Sequence, residues 1–365
     1  MGARGLRDDA RERREGAELS QQTAVAAPGA AVLRRPARRR ALGLLGVAVA
    51  LAVICALSVA VGSRVVSWDE IVAALGGSTN GLGEAAVVKR VLRTVLALVV
   101  GAALGLSGAL MQGVTRNPLA DPGILGVNMG ASLAVVVGIA WFGAWTYTSL
   151  IWIAIVGAAV AAVFVYLVGS LGRGGATPLK LALAGAATAT ALSAFISAIV
   201  LPRGDIAGSV RSWQIGGVGG ANLDALGQVA PFLVVGTIVA LASGRSLNSL
   251  ALGDDLAAGL GERVALARAV ASLGAVILCG AATAVAGPIG FVGLVVPHVC
   301  RLIVGPDYRW LLPFSALTGA ALLTASDVVG RVVARPDEVD VGIITALIGA
   351  PFFIAIVRRQ KVREL

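Results

Sequence analysis

From residue 41 almost to the end of the chain, apolar runs of 17 to 25 residues alternate with short polar breaks. Each run is long enough to cross roughly 30 Å of hydrocarbon as a helix. None shows the period-two alternation of a barrel strand, and lipid demands that backbone polar groups pair within the spanning segment. The pattern predicts an all-α polytopic membrane protein with about ten transmembrane helices, near 42–62, 92–113, 122–142, 148–170, 179–201, 229–245, 265–286, 288–304, 310–333 and 340–358. Residues 1–40 hold ten Arg, five acids and no aromatic residue, the composition of a disordered basic cytoplasmic tail. The remainder, 41–365, reads as one transmembrane domain.

Composition agrees: 57% of residues are hydrophobic and only 14% are charged, with a mean hydropathy of +0.88. A soluble domain carries roughly 25% charged residues. The net charge of +10 would suggest nucleic acid in a soluble protein. Here the basic residues lie between and beyond the spans, where anionic headgroups account for them, so no nucleic-acid partner is expected. With the N-terminus inside, 22 Lys and Arg fall on the inner side and 8 on the outer. The positive-inside rule then puts both termini in the cytoplasm of a bacterial inner-membrane protein. The first run exceeds the roughly 7 to 15 residues of a signal-peptide core, which favours an uncleaved span.

Reactive chemistry is absent from the pattern. There is no GxxxxGK[ST] loop for a nucleotide. The one histidine, His298, has no acidic pair or metal-ligand spacing around it, and a structural role on a neighbouring helix is expected. Cys55, Cys279 and Cys300 lie inside apolar runs and read as small buried hydrophobes. No catalytic residue, cofactor site or metal site is assigned. Span centres are nearly free of charge, which argues against ion coupling. Gln112, Asn128, Thr188, Thr190, Ser193 and Ser197 instead offer neutral polar groups, suited to a path for a bulky neutral or chelated solute or to helix packing alone. Small-xxx-small steps such as Gly101 to Gly105, and the closely spaced Gly287, Gly290 and Gly293, predict close helix contacts.

Four segments break the apolar monotony. In "RNPLADPGILGVNMGAS", 116–132, Pro118 and Pro122 stop helices while Asn117 and Asp121 can cap or close turns. Topology puts its first half at an inner turn. In "KRVLR", Arg90 and Arg93 share a helix face on the outer side, either snorkelling to headgroups or presenting guanidinium groups to an external carboxylate. Arg331 also projects outside, with Asp327 four residues earlier as a possible intrahelical partner. The inner segment 247–268 is too polar to span and reads as two short amphipathic helices broken at Gly253 and Gly261. Such a segment is either an ordinary loop or a platform for a soluble engine.

Taken together these segments resemble the FecCD family of bacterial ABC importer permeases, which carry iron-siderophore complexes, heme or vitamin B12. The resemblance rests on 116–132 after the span ending in Gln112, "LKLALAGAA" at 179–187, "RSWQIGG" at 211–217, "LALGDDLAAGLG" at 250–261, "GPIGFVGLVVPHVCRL" at 287–302 and "DVVGRVVARPDEVDVGIITALIGAPFFIAIVRR" at 327–359. It implies a vitamin B12 permease-like fold, a second permease subunit, identical or paralogous, a cytoplasmic ATPase dimer and an extracytoplasmic substrate-binding protein. It implies ATPase coupling through segment 247–264, at Leu252, Gly253, Ala257, Leu260 and Gly261. Docking of the binding protein falls by the same resemblance to Arg90, Arg93 and Arg331, and a gate or pathway role to Gln112, Asn117 and Pro118. This chain departs from the family pattern at Leu92, where a proline is usual, at Gly217, commonly serine, and at Asp340, usually proline. The expected function is import of ferric siderophores by alternating access, without covalent chemistry. The alternatives are vitamin B12 or heme as cargo, a secondary transporter without an ATPase, and a structural or signalling membrane protein.

Overall fold

A computed structural model describes residues 37–143, 146–171 and 177–361. The predicted tail lies outside the described residues as far as residue 36. Its last four residues are already helical, so the first helix starts earlier than the hydropathy suggested. The described chain is built from α1 (Ala37–Ala60), α2 (Trp68–Leu75), α3 (Leu82–Thr115), α4 (Val127–Phe142), α5 (Tyr147–Ser170), α6 (Pro178–Val200) and α7 (Gly204–Ile215). It continues through α8 (Leu223–Ala242), α9 (Gly244–Leu250), α10 (Asp254–Gly259), α11 (Val264–Ala286), α12 (Val292–Val304), α13 (Tyr308–Val333) and α14 (Val341–Lys361). Among the described residues there is no strand. Seven of these helices are long and apolar enough to cross a membrane, and α4, α12 and most of α14 are shorter apolar helices. The chain is a multi-pass membrane protein, and each predicted span corresponds to one apolar helix.

Polar residues set the boundaries. Thr146, Thr177 and Asn222 accept bonds from the first turns of α5, α6 and α8, and Asp307 does the same for α13. Ser67 and Glu70 form a reciprocal capping box that starts α2. Neither α2 nor α7 was visible in hydropathy, because both are short and mixed. They close the end of the bundle where α1 finishes, and α9 and α10 lie at the opposite end.

The centre of the bundle is α3. Its 34 residues extend about 51 Å, more than the hydrocarbon thickness. One edge of it is glycine, and that edge decides the packing. A Cβ on Gly101 would lie 2.4 Å from the carbonyl oxygen of Gly319, and one on Gly105 would lie 2.2 Å from that of Ser315, both on α13. Two small-xxx-small rows therefore interlock, backbone on backbone, as the spacing foretold. Gly108 does the same against α12, where a Cβ would come within 2.4 Å of the Gly293 Cα atom.

Two apolar stretches predicted as continuous spans are broken inside the bundle. After Thr115 the chain reverses through a turn in which Ala120 N donates to Asn117 O, re-enters the bundle as an irregular strap, and at Pro122–Leu125 forms a short 3₁₀ turn before α4 begins. Ala120, Pro122 and Leu125 are buried. The Asp121 carboxylate sits beside Gly293, at the level of Leu104 and Gly108 and about 10 Å inside the end of α3. "RNPLADPG" is therefore an inner turn only at Arg116 to Leu119. Local bonds take up part of its backbone, as irregular chain at that depth requires. Asn117 Oδ1 accepts from Leu119 N, and Asp121 Oδ1 accepts from Gly123 N. The second break is "GPIGF", 287–291, where Gly287 and Phe291 both take positive φ and α12 starts only at Val292. Hydropathy could not see either break, because Ile, Leu and Phe are as apolar in a loop as in a helix.

Adding one methyl group at two glycines separates packing from propensity. Gly46 on α1 has open space around its missing Cβ, so Gly46→Ala is expected to be neutral or to stabilise by about 0.5–1 kcal/mol. Gly108→Ala is expected to force α3 from α12 and destabilise by about 1–3 kcal/mol. Thermal unfolding of the two variants in detergent checks this, and equal midpoints would remove the glycine edge from the account.

Candidate functional site

Three regions collect the polar and charged side chains. The first lies where α1 ends. Arg90, Arg93 and Arg331 are buried there, exposing 5%, 6% and 1% of their surfaces. Their guanidinium groups turn inward, and the expected carboxylate partners are supplied by the chain itself. Arg93 Nε donates to Asp327 Oδ1 at 2.7 Å, and its NH1 donates to Glu338 Oε2. Arg331 Nε lies 3.0 Å from Asp327 Oδ2, the intrahelical pair suggested by the spacing of four. Arg90 and Arg93 take different partners. Arg90 reaches to the carbonyls of Val59, Ala60 and Arg64, and Arg331 NH1 donates to those of Ser58 and Val61. Two cations thus cap the carbonyl end of α1, where orphan acceptors and the helix dipole favour positive charge. Gly62 makes the space, since a Cβ there would strike the Arg90 guanidinium. In this conformation all three arginines are buried rather than exposed, and each bonds to carbonyls or carboxylates of the chain itself.

Two departures from the family pattern meet in this region. A Cβ on Gly217 would lie 2.7 Å from Asp340 Oδ1, so the absent side chain at 217 makes room for the carboxylate at 340. Glu338, in the loop before α14, closes the network by accepting from Ser63 Oγ at 2.8 Å. Burial works against its charge, but the Arg93 guanidinium and the Ser63 hydroxyl outweigh it and hold the carboxyl below the usual glutamate range.

The second region is the α10 end. Breaks fall at Gly253 and Gly261 as predicted, with φ of +108° and +85° that only glycine adopts freely. Between them Ala257 is buried and seats α10 on the bundle, while Leu252, Leu256 and Leu260 expose 56%, 64% and 69% of their surfaces. Leu256 and Leu260, four apart, share a face of α10, and Leu252 stands just before the Gly253 break, so three exposed leucines flank this short helix. Leu256 was missed by the motif reading and is legible in the spacing. Asp254, also missed, pairs with Arg116 and Arg268.

The third region is the interior. Gln112 is buried and staples α3 to α12: its Nε2 donates to the Gly293 and Leu294 carbonyls, and its Oε1 accepts from Arg301 at 2.8 Å. Asn117 is exposed and Pro118 half-buried at the foot of the re-entrant strap. Asn128 Oδ1 accepts from Thr283 Oγ1 and Cys279 Sγ, joining α4 to α11. The hydroxyls of α6 divide by helical angle. Thr190, Ser193 and Ser197 share one face with Met129 across a groove of about 530 Å³, whereas Thr188 turns to the other side. There it is the only hydroxyl in the lining of a groove of about 790 Å³ between α4, α5 and α6, whose apolar walls suit hydrocarbon rather than a chelate. His298 packs edge-on to Phe352 of α14 at 5.9 Å, so its contact with a neighbouring helix is through the ring. Among the described residues no group of His, Cys, Asp and Glu is arranged to hold a metal ion.

A glycine-tight bundle of apolar helices, with irregular chain re-entering it at two places and a short helix flanked by exposed leucines at one end, is a polytopic membrane transport fold. Residues 50–359 match the FecCD transport family, and the chain belongs to that family. It is 42% identical over 311 residues to the probable siderophore transport system permease protein YfiZ of Bacillus subtilis (strain 168), covering 85% of this chain and 93% of that one. It is 43% identical over 323 residues to the ferric enterobactin transport system permease protein FepD of Escherichia coli (strain K12), covering 88% and 96%. A solved structure described as an inward-facing metal-chelate type ABC transporter superposes with a TM-score of 0.76 at 28% identity, over 87% of this chain and 99% of the other.

The buried charges make a stability prediction with a defined sign. Asp327→Asn leaves Arg93 and Arg331 without their shared counter-charge and is expected to cost about 3–5 kcal/mol, read as a fall in the thermal midpoint. Glu338 has a folded pKa below its unfolded value, so its contribution is complete above pH about 4.5 and is lost as pH falls below that value. Burial pushes the neighbouring Asp340 the other way, and comparison with Glu338→Gln isolates the Glu338 share. The variant's midpoint should approach that of the parent on acidification, and a constant offset at all pH values would rule this out.

Proposed function

We propose that this chain is the permease subunit of an ATP-driven importer of the bacterial cytoplasmic membrane, moving ferric siderophore complexes inward by alternating access. The observation that carries the reading is α10. A soluble engine needs an apolar grip that is held by the permease yet open to solvent, and the exposed Leu252, Leu256 and Leu260 around the buried Ala257 supply such a grip. On this reading the α10 end faces the cytoplasm, in keeping with the excess of basic residues assigned to that side. ATP hydrolysis belongs to a separate ATPase dimer, and a second permease subunit completes the path.

The siderophore class comes from the relatives, which are named for siderophore and ferric enterobactin transport. The neutral face of Thr190, Ser193 and Ser197 supports a chelated cargo, because a bulky complex needs weak hydrogen bonding along its way rather than a tight ionic site. An extracytoplasmic binding protein would approach the α2 end. Arg64, Arg211 and Arg335 remain exposed there, and a carboxylate-bearing partner meets these first. Arg90, Arg93 and Arg331 then act as the brace beneath that surface. Docking and ATP-driven closure each shift the conformational equilibrium only by their differential affinity for its states.

Uptake of radioactive iron, presented as several chelates to iron-starved cells with and without the gene, tests the cargo. Loss for one siderophore class is the expected result. Normal iron uptake with loss of labelled vitamin B12 or heme would reassign the cargo, and uptake in vesicles lacking the ATPase would overturn the ATP-driven mechanism. A second expectation concerns the strap: Asn117→Ala combined with Pro118→Ala should lower uptake at unchanged membrane abundance. Wild-type uptake in the double variant would end the gate role of these two residues.

A further inference from the structure

Asp254 opens α10, and its carboxylate is where three elements meet. Oδ1 accepts from Arg116 NH2 at 2.7 Å and from Arg268 NH2 at 2.8 Å, and Oδ2 accepts from Arg268 NH2 at 3.0 Å. Arg268 belongs to the second turn of α11. Arg116 is the residue on which α3 ends, and its backbone runs directly into Asn117, Pro118 and the re-entrant strap. It is also one of two non-glycine residues with positive φ among the described residues, at +51°. A side chain with a Cβ resists that conformation, so an external hold on the guanidinium helps to keep the turn as it is.

The mechanical setting makes this contact a transmission point. Gly253 and Gly261 flank α10 with left-handed backbone, which leaves the helix free to tilt on two flexible joints. Its buried contact, Ala257, is a single methyl group and can slide. Among the described residues, the side-chain ion pairs from α10 to the spans all run through Asp254. Both pairs are partly exposed, so they contribute little to folding stability and can yield and reform in water. A push on the exposed leucines therefore reaches α3 through this carboxylate.

We propose that Asp254 is a positioning residue for transport: it carries movement of α10 to Arg116 and so to the foot of the strap, where the chain turns back into the bundle. The proposal rests on the reading of α10 as the seat of the ATPase. It predicts that breaking the link separates hydrolysis from import without dismantling the complex.

The test uses the full complex of permease, ATPase and binding protein in liposomes, with radioactive iron supplied as a ferric hydroxamate and as a ferric catecholate. In Asp254→Asn the ATPase should still copurify and hydrolyse ATP, while iron imported per ATP falls about tenfold, a coupling loss of ordinary size. Arg116→Gln, which leaves α10 untouched, should give the same split. An unchanged import-to-hydrolysis ratio in both variants would overturn the proposal. So would a loss confined to Asp254→Asn and accompanied by loss of the ATPase, because that is the signature of a damaged helix. Leu256→Glu serves to separate the two readings: it should abolish copurification, and an ATPase that still copurifies would overturn α10 as its seat rather than the Asp254 link alone.

Discussion

Backbone contact between helices that carry no side chain at the point of contact governs this structure. In lipid, apolar side chains gain nothing by leaving the solvent, so helices must be held by close packing and by polar bonds. The α3 edge of Gly101, Gly105 and Gly108 allows α13 and α12 to approach within reach of its own backbone. The two buried irregular segments, before α4 and before α12, lean on that approach. The start of α12 is sheltered because Gly293 presses on Gly108, and the Asp121 turn is sheltered because it lies beside Gly293. Gly185 on α6 completes the shelter, since a Cβ there would overlap the Ile124 carbonyl. Unwound chain survives at that depth only when protein covers it.

The charged groups answer the same constraint at the ends of the bundle. Helix α1 packs loosely along its length and is fixed at its two ends by arginines. Arg40 reaches Asp307 at one end, and Arg90 and Arg331 cap its carbonyls at the other. Asp327 and Glu338 balance most of the buried positive charge. The result is a braced cap on the side where Arg64, Arg211 and Arg335 face outward, and on the other side a short helix, α10, held through Ala257 and the Asp254 pairs. That asymmetry suits a transporter loaded from one side and driven from the other.

Within the bundle the clasps are specific rather than strong. Gln112 joins α3 to α12 and Arg301, Asn128 joins α4 to α11, and Asn248 holds the first turn of α13 through Asp307 and Tyr308. Each is a neutral or half-neutral hydrogen bond that can be exchanged for another as helices shift. Asp121 is the one interior carboxylate that the hydropathy reading set at the surface, and it serves as a cap for a 3₁₀ turn.

What the sequence determined by itself is whatever depends on local composition or spacing: the all-helical class, the number of apolar segments, the breaks at Gly253 and Gly261, the turn at Asn117 and Pro118, the Asp327 and Arg331 pair, and the family. Span length, glycine flexibility and a separation of four are properties of neighbouring residues, so they are legible without a fold. Only the tertiary structure decided where side chains found distant partners. It turned Arg90, Arg93 and Arg331 inward, because the carbonyls of α1 and the carboxylates of Asp327 and Glu338 lie there to receive them. It gave Gln112 its bonds to α12 and sent Thr188 away from Thr190. It also made Asp254 the neighbour of Arg116 across 138 residues of chain. Those contacts are set by how close α3 lets its neighbours come, a distance that no run of apolar letters contains.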